Sequence, residues 1–447
     1  MTEVMNYDLV IQNTTVATYT HQGYVEQICN IGVKDGLIAA IGTQSLQGTT
    51  VVDGKNLVTL PGVIDSQVHF RDPGMTHKED IETGTRSAAL GGVTSIFEMP
   101  NTIPPTTTAD LLNQKFTNAQ GKSWVNHAFF IGASTENISE LARLELLEGC
   151  PGIKIFMGSS TGNLLVENDS DLEKIFRSGH RRVIIHSEDE FRLRERKKIA
   201  TDSQDVKNHH VWRDAESALL STQRLLRISK LTGRKVHVLH VTTAEEMELL
   251  SHHQQNASVE VLPQHLTLSA PECYERLGTF AQQNPPIREK HHQEALWRGI
   301  SNGTVKIIGS DHAPHTREEK LRTYPQTPSG VPGVQTLVPI MLDHVHQGRL
   351  SLQKLIELVC ENPRWVFGCE SKGRIEVGRD ADFTLVDLKA RRKIENSWIA
   401  SRAAWTPFDG MSVTGWPVVT IVGGNLVMKN DTLLGSPIGR KVKFTQT

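Results

Sequence analysis

Eight apolar stretches, each followed by a polar or helix-like segment, limit the folds open to this chain more than any other feature. They are "LPGVIDSQVHF", "GVTSIFEMP", "NHAFFIGAS", "GIKIFMGSS", "RRVIIHSED", "KVHVLHVTT", "VEVLPQHLTL" and "TVKIIGSDHAP". Runs apolar on both faces belong to strands covered on both sides, and alternation with helices makes the sheet parallel. The segments "ADLLNQKFTNAQ", "ISELARLELLE", "AESALLSTQRLLRISKLTG" and "AEEMELLSHH" keep the 3.6-residue helical period. Thr76-His77-Lys78-Glu79 has the spacing of a capping box opening the first helix. Eight such units over roughly 300 residues predict an α/β fold, a (β/α)8 TIM-like barrel.

The flanks read differently. Before residue 59 the chain is made of short strands, with Asp35-Gly36 and Asp53-Gly54 as hairpin signals. After about residue 367 strands return in "GRIEVGRDADFTLVDL", with Gly378-Arg379-Asp380 as a turn, and in "VVTIVGGNLVMKND", a hairpin across Gly423-Gly424. The expected organisation is a barrel over 59–366 and a small composite β-sandwich domain from 1–58 plus 367–447.

Composition excludes several classes of partner. Lys and Arg number 48 against 50 Asp and Glu, so no electrostatic footprint for nucleic acid or an anionic membrane exists. No apolar run approaches the ~20 residues of a membrane span. The acid-bearing start lacks the apolar core of a secretory signal. Five scattered cysteines, without metal-type spacing, fit free thiols in a cytoplasmic protein.

Catalytic groups of such a barrel sit at the C-terminal ends of its strands, and here those ends are polar. Strand one ends in Gln67, His69 and Arg71, and strand two in Asn101. Strand four carries Lys154 within "GIKIF". Strands five, six and seven end in His186, His240 and His265, and strand eight in Asp311, His312 and His315. A single histidine there means little. Several converging on one barrel mouth, with a carboxylate, suit Zn²⁺ or a similar cation. Lys154 can snorkel or pair with an acid, or its amine can take up CO₂ as an anionic carbamate ligand.

The segments "PGVIDSQVHFRDPG", "HKEDIETGTRSAALGGVTSIFEMPNT", "GIKIFMGSSTG", "HSEDE", "NPPIR", "SDHAPH", "SGVPGVQT" and "KGRIEVGRDADFTLVDL" resemble those of cyclic amidohydrolases of the dihydroorotase group, within the metal-dependent amidohydrolase superfamily. The resemblance runs nearly end to end and implies one or two Zn²⁺ per chain. His69, carbamylated Lys154 and Asp311 would hold one metal, and Lys154, His186 and His240 the second, with a hydroxide between. Asp311 would be the catalytic base and then the acid. Arg71, Asn101 and His315 would bind the carboxylate of dihydroorotate, whose hydrolysis gives N-carbamoyl-L-aspartate in pyrimidine biosynthesis. Allantoinases and hydantoinases resemble this fold but usually lack the arginine, which makes Arg71 the discriminator unless it only pairs with Asp72 or Glu79. His265 reads as structural. The stretch "GSSTG", 158–162, reads equally as a mobile lid or a glycine-rich turn. The resemblance also implies a homo-oligomer and allows association with aspartate transcarbamoylase.

One position departs from the pattern. The group carries His-x-His on strand one, and this chain has Gln67-Val68-His69. A glutamine oxygen is a neutral and weaker donor to Zn²⁺ than imidazole. The first metal keeps His69, Lys154 and Asp311, so the favoured expectation is a weakened two-metal hydrolase. A one-metal hydrolase and a non-catalytic relative follow in that order.

Overall fold

The computed structural model describes residues 6–159 and 164–445. The chain opens with β1 (Asn6–Thr20), β2 (Gly23–Lys34), β3 (Leu37–Gly42), β4 (Gln47–Asp53) and β5 (Val58–Pro61). It then enters a parallel series: β6 (Val63–Val68), β7 (Val93–Glu98), β8 (Asn126–Phe129), β9 (Ile131–Gly132), β10 (Ile153–Phe156), β11 (Val183–His186), β12 (Val236–Val238), β13 (Ala257–Val261) and β14 (Val305–Ile308). It closes on β15 (Phe383–Lys393), β16 (Ser412–Val422), β17 (Asn425–Lys429) and β18 (Thr432–Leu433).

The parallel series is the barrel. β8 and β9 are two pieces of one strand split at Phe130, which gives eight strand positions. The ladders β6-β7-β8 and β9 through β14 meet through that continuity. At the other seam a bridge joins Val68 to His312, and the His69 N–H donates to the His312 carbonyl at 2.7 Å. Nearly every strand residue is buried, as expected for a sheet with helices outside and packed side chains within.

The helices are set by local chemistry. Ile81–Leu90 starts at Asp80, whose carboxylate accepts from Thr83 N, while the Thr83 hydroxyl returns to Asp80 N. The box therefore lies four residues beyond the Thr76–Glu79 expected from spacing. Glu79 cannot cap because it is buried and engaged by His312 Nε2 at 3.1 Å, by Arg402 N and by the Thr83 and Ser401 hydroxyls. Ala215–Thr232 runs to Gly233, which ends it in a left-handed conformation at φ 74°. "ISELARLELLE" forms only a 3₁₀ turn, Ile138–Glu140, and one helical turn, Leu141–Leu144. β13 stops before Pro263, which lacks the N–H a strand needs and opens the short helix Pro263–Thr267.

The two chain ends share a nine-stranded sheet, ordered β18-β17-β16-β15-β5-β1-β2-β3, with β4 also on β1. Its inner side chains, among them Ile31, Val33, Ile38, Phe383, Leu385 and Ile421, form one apolar core. The β2–β3 turn returns to the lead into β15 through Ile38 N to Arg379 O, Gly378 N to Ile38 O and Ala381 N to Gly36 O. The sheet thereby folds over into a sandwich. Asp35-Gly36 makes the predicted hairpin, with both residues at positive φ (52° and 77°). Asp53-Gly54 does not. β4 and β5 each pair in parallel with β1, so this turn is a jog between two segments laid along one strand.

Candidate active site

The barrel mouth holds a pocket with about 360 Å³ of empty space, lined by Gln67, His69, Arg71, Asn101, Lys154, His186, His240 and Asp311 among others. His69 and Arg71 lie just past β6, Asn101 past β7, Lys154 within β10, His186 at the end of β11, His240 past β12 and Asp311 past β14. Three of these residues hold left-handed backbones: Arg71 at φ 62°, His240 at φ 37° and Asp311 at φ 44°. Such conformations cost about 1–3 kcal/mol each for residues with a side chain and persist only where the surroundings over-determine them.

The nitrogen and oxygen donors come in two halves. In one, His69 Nε2 is 3.1 Å from Asp311 Oδ1, and His69 Nδ1 is 2.7 Å from Asn101 Oδ1. Asn101 thus takes the Nδ1 proton and leaves Nε2 as the lone-pair nitrogen. In the other, His186 Nδ1 faces His240 Nε2 at 3.1 Å, and Glu188 Oε2 takes His186 Nε2 at 2.8 Å. Burial by itself would raise the Glu188 pKa, but the Arg213 guanidinium and His186 hold it well below the usual range. Burial keeps His69 and His186 below their ordinary pKa, and His240 well below it. Neutral imidazoles are the metal-binding form.

Lys154 belongs to the same pocket. It is 1% exposed, its Nζ lies 4.5 Å from the Phe156 ring centroid, and it forms no ion pair among the described residues. Burial lowers its pKa to about 7, so much of the amine is neutral and nucleophilic near neutral pH. Among the described residues, no three His, Cys, Asp or Glu side chains form a ready metal cage. The donor set nonetheless fits a cation. The 3.1 Å separations of His69 from Asp311 and of His186 from His240 are close to the roughly 3.3 Å edge of a tetrahedron with bonds near 2.05 Å. Gln67 Oε1 and His240 Nδ1 are buried without a partner among the described residues.

Arg71 is 1% exposed. Its Nε donates to Pro314 O and its Nη2 lies by His315 Nε2, both at 3.3 Å. No carboxylate pairs with it among the described residues, because Asp72 and Glu79 turn elsewhere. Burial lowers its pKa to about 10. His315 sits behind Arg71, against Ser329 O at 3.0 Å and Lys78 Nζ at 3.1 Å. Gly330 lines the pocket at φ 141°, and a Cβ there would stand 2.4 Å from Ala313 O.

His265 points away, with Nε2 3.1 Å from Pro285 O. His312 bonds Glu79 beneath the mouth. The lid-or-turn stretch falls largely on 160–162, outside the described residues. Sequence reasoning missed two supporting groups, Glu188 and Arg213, and gave no role to Asp65, which alternates with Gln67, His69 and Arg71. Asp65 Oδ1 accepts from Gln67 N at 3.2 Å and Ser310 N at 3.0 Å, tying the β6 and β14 ends together. The acids of "HSEDE" were a visible signal for Glu188, whereas nothing local marks Arg213.

An eight-stranded barrel with this polar mouth is the framework of a hydrolytic enzyme. A model of the amidohydrolase family matches residues 58–427. The dihydroorotase of Halobacterium salinarum is 35% identical over 403 residues, covering 89% of this chain and 92% of that protein. The L-hydantoinase of Paenarthrobacter aurescens is 32% identical over 445 residues, 96% of each. The solved L-hydantoinase (dihydropyrimidinase) of Arthrobacter aurescens superposes with a TM-score of 0.91 at 30% identity, over 98% of this chain and all of that one. The chain belongs to the amidohydrolase family, and it is a hydrolase of cyclic amides.

Proposed function

We propose that this enzyme is a dihydroorotase, interconverting dihydroorotate and N-carbamoyl-L-aspartate. The observation that carries the reading is Arg71, a buried guanidinium in the pocket wall that forms no direct carboxylate pair among the described residues, the nearby charge of Asp311 acting on it only at longer range. A buried charge is costly unless it is paired, and the carboxylate of a bound substrate answers that need. Arg71 presents a planar fork to it, Asn101 adds a polar side chain, and His315 holds the fork from behind.

His69, Lys154 and Asp311 would hold one zinc-type ion, and Lys154, as its carbamate, with His186 and His240, the other. Such ions supply Lewis acidity and a water acidic enough to serve as nucleophile near neutral pH. The protein's own groups do the rest. Asp311 takes the proton of the attacking water as the C–O bond forms at the ring carbonyl. It returns that proton to the amide nitrogen as the C–N bond breaks. Glu188 and Asn101 lock the tautomers of His186 and His69.

A second reading, an uncharged cyclic amide such as a hydantoin, draws support from the L-hydantoinase likeness. Turnover of dihydroorotate, a hydantoin and allantoin, measured side by side with metal content, tests the choice. A kcat/KM for dihydroorotate at least tenfold above the others is expected. A hydantoin preferred over dihydroorotate sinks the proposal.

A further inference from the structure

The opposite end of the barrel holds a second concavity, of about 400 Å³. Arg181 and Arg182 immediately precede β11 and Lys235 immediately precedes β12, so this is the N-terminal face, remote from the mouth. In barrel enzymes that face serves stability. Its lining here works against stability, because three cations meet there without a carboxylate partner among the described residues.

Each of the three is accounted for. Arg181 donates to two neutral carbonyls, those of Cys150 and Thr445. Arg182 donates to Val236 O at 2.9 Å, and its buried Nε has no partner among the described residues. Lys235 is exposed to the cavity. The carboxylate in the wall, Glu370, is taken by Arg364. Burial is the one cause that lowers the Arg182 pKa, to about 10, with no anion acting to raise it. Beside these cations stands Trp365, 43% exposed. Its Nε1–H is satisfied by Asn362 Oδ1 at 2.8 Å, and the Arg182 guanidinium lies 6.0 Å from its ring centroid. The indole is thus fixed and polarised, with open apolar surface.

We propose that this basal cavity is a binding site for a small anion that carries a planar aromatic ring, the anion meeting Arg181, Arg182 and Lys235 and the ring stacking on Trp365. Flat rings pack on indole and guanidinium surfaces alike, and the volume falls in the range of small-molecule sites. The ring separates this ligand from inorganic phosphate, and the charge separates it from a neutral nucleoside.

Calorimetric titration of the metal-loaded enzyme with adenosine 5′-monophosphate, adenosine and inorganic phosphate tests the proposal. The monophosphate should bind with a Kd below about 1 mM, at least tenfold tighter than either fragment. Arg182→Ala/Lys235→Ala and Trp365→Ala should each weaken it at least tenfold, with melting profiles showing that both variants fold. Arg71→Met, at the other end of the barrel, should leave it unchanged. No binding of the monophosphate overturns the proposal. So does binding that survives the double variant, binding lost in Arg71→Met, or phosphate binding as tightly as the monophosphate.

Discussion

Replacing Arg71 by methionine separates substrate recognition from scaffold integrity. Of the five guanidinium N–H groups, one is held by Pro314 O and one faces His315 Nε2, which leaves three for the pocket. A substrate carboxylate can take two of them in a fork, and hydrogen bonds to charged groups contribute about 1.5–3 kcal/mol each. Removing them should cost the carboxylated substrate about 3–6 kcal/mol, or roughly 10²- to 10⁴-fold in kcat/KM. An uncharged hydantoin makes no such bonds and should change less than about threefold (under 0.7 kcal/mol by the same conversion). Stability should not fall, because among the described residues Arg71 has no direct ion pair to orphan and its burial already lowers its pKa. An apolar side chain of similar volume is often neutral or stabilising at such a site. Steady-state kinetics on both substrates, with a urea melt of each protein, read all of this. Equal losses on both substrates, or a melt lowered by more than about 3 kcal/mol, would show that Arg71 shapes the mouth and does not read a carboxylate.

Asp311→Asn should abolish turnover, at least about 10²-fold as expected for a lost general base, while most bound metal stays. An active, metal-loaded variant refutes the proton transfer. Gln67→His should tighten one of two metal sites in a chelator-competition titration and leave the other unchanged; identical affinities would mean that the buried Gln67 oxygen does not face a cation. Lys115→Met should lower stability by about 1–3 kcal/mol, since it removes the partner of the fully buried Glu98 carboxyl, whose pKa burial already pushes up to about 7. Adding Glu98→Gln should restore much of that loss, and a loss under 1 kcal/mol in the single variant counts against the pair.

The strand positions of the barrel were legible because burial on both faces leaves a mark in one dimension. Polar residues at the ends of those runs pointed to the mouth for the same reason. What local pattern could not show was competition between partners. Asp53-Gly54 has good hairpin chemistry, yet β1 takes both flanking segments in parallel, β4 over six residue pairs and β5 over two. Thr76 and Glu79 have capping spacing, yet His312, distant in sequence, claims Glu79. The groups that lock His186 form a chain through Glu188 to Arg213, a tertiary fact without a periodic signature. The lack of a carboxylate pair for Arg71 among the described residues is likewise visible only when everything around it is in place.

The sheet built from both chain ends also sets a schedule for synthesis. β5 pairs with β15, placing Pro61 opposite Phe383, positions separated by 383 − 61 = 322 residues. At about 5–20 residues per second, a ribosome needs on the order of 15–65 s to supply the partner strand. For that interval the edge of β5 has no cover, and an open strand edge invites pairing with other chains. The barrel can assemble while the sandwich waits, so the hazard of misassembly lies at the start of the chain, and a nascent chain stalled before β15 carries it unrelieved.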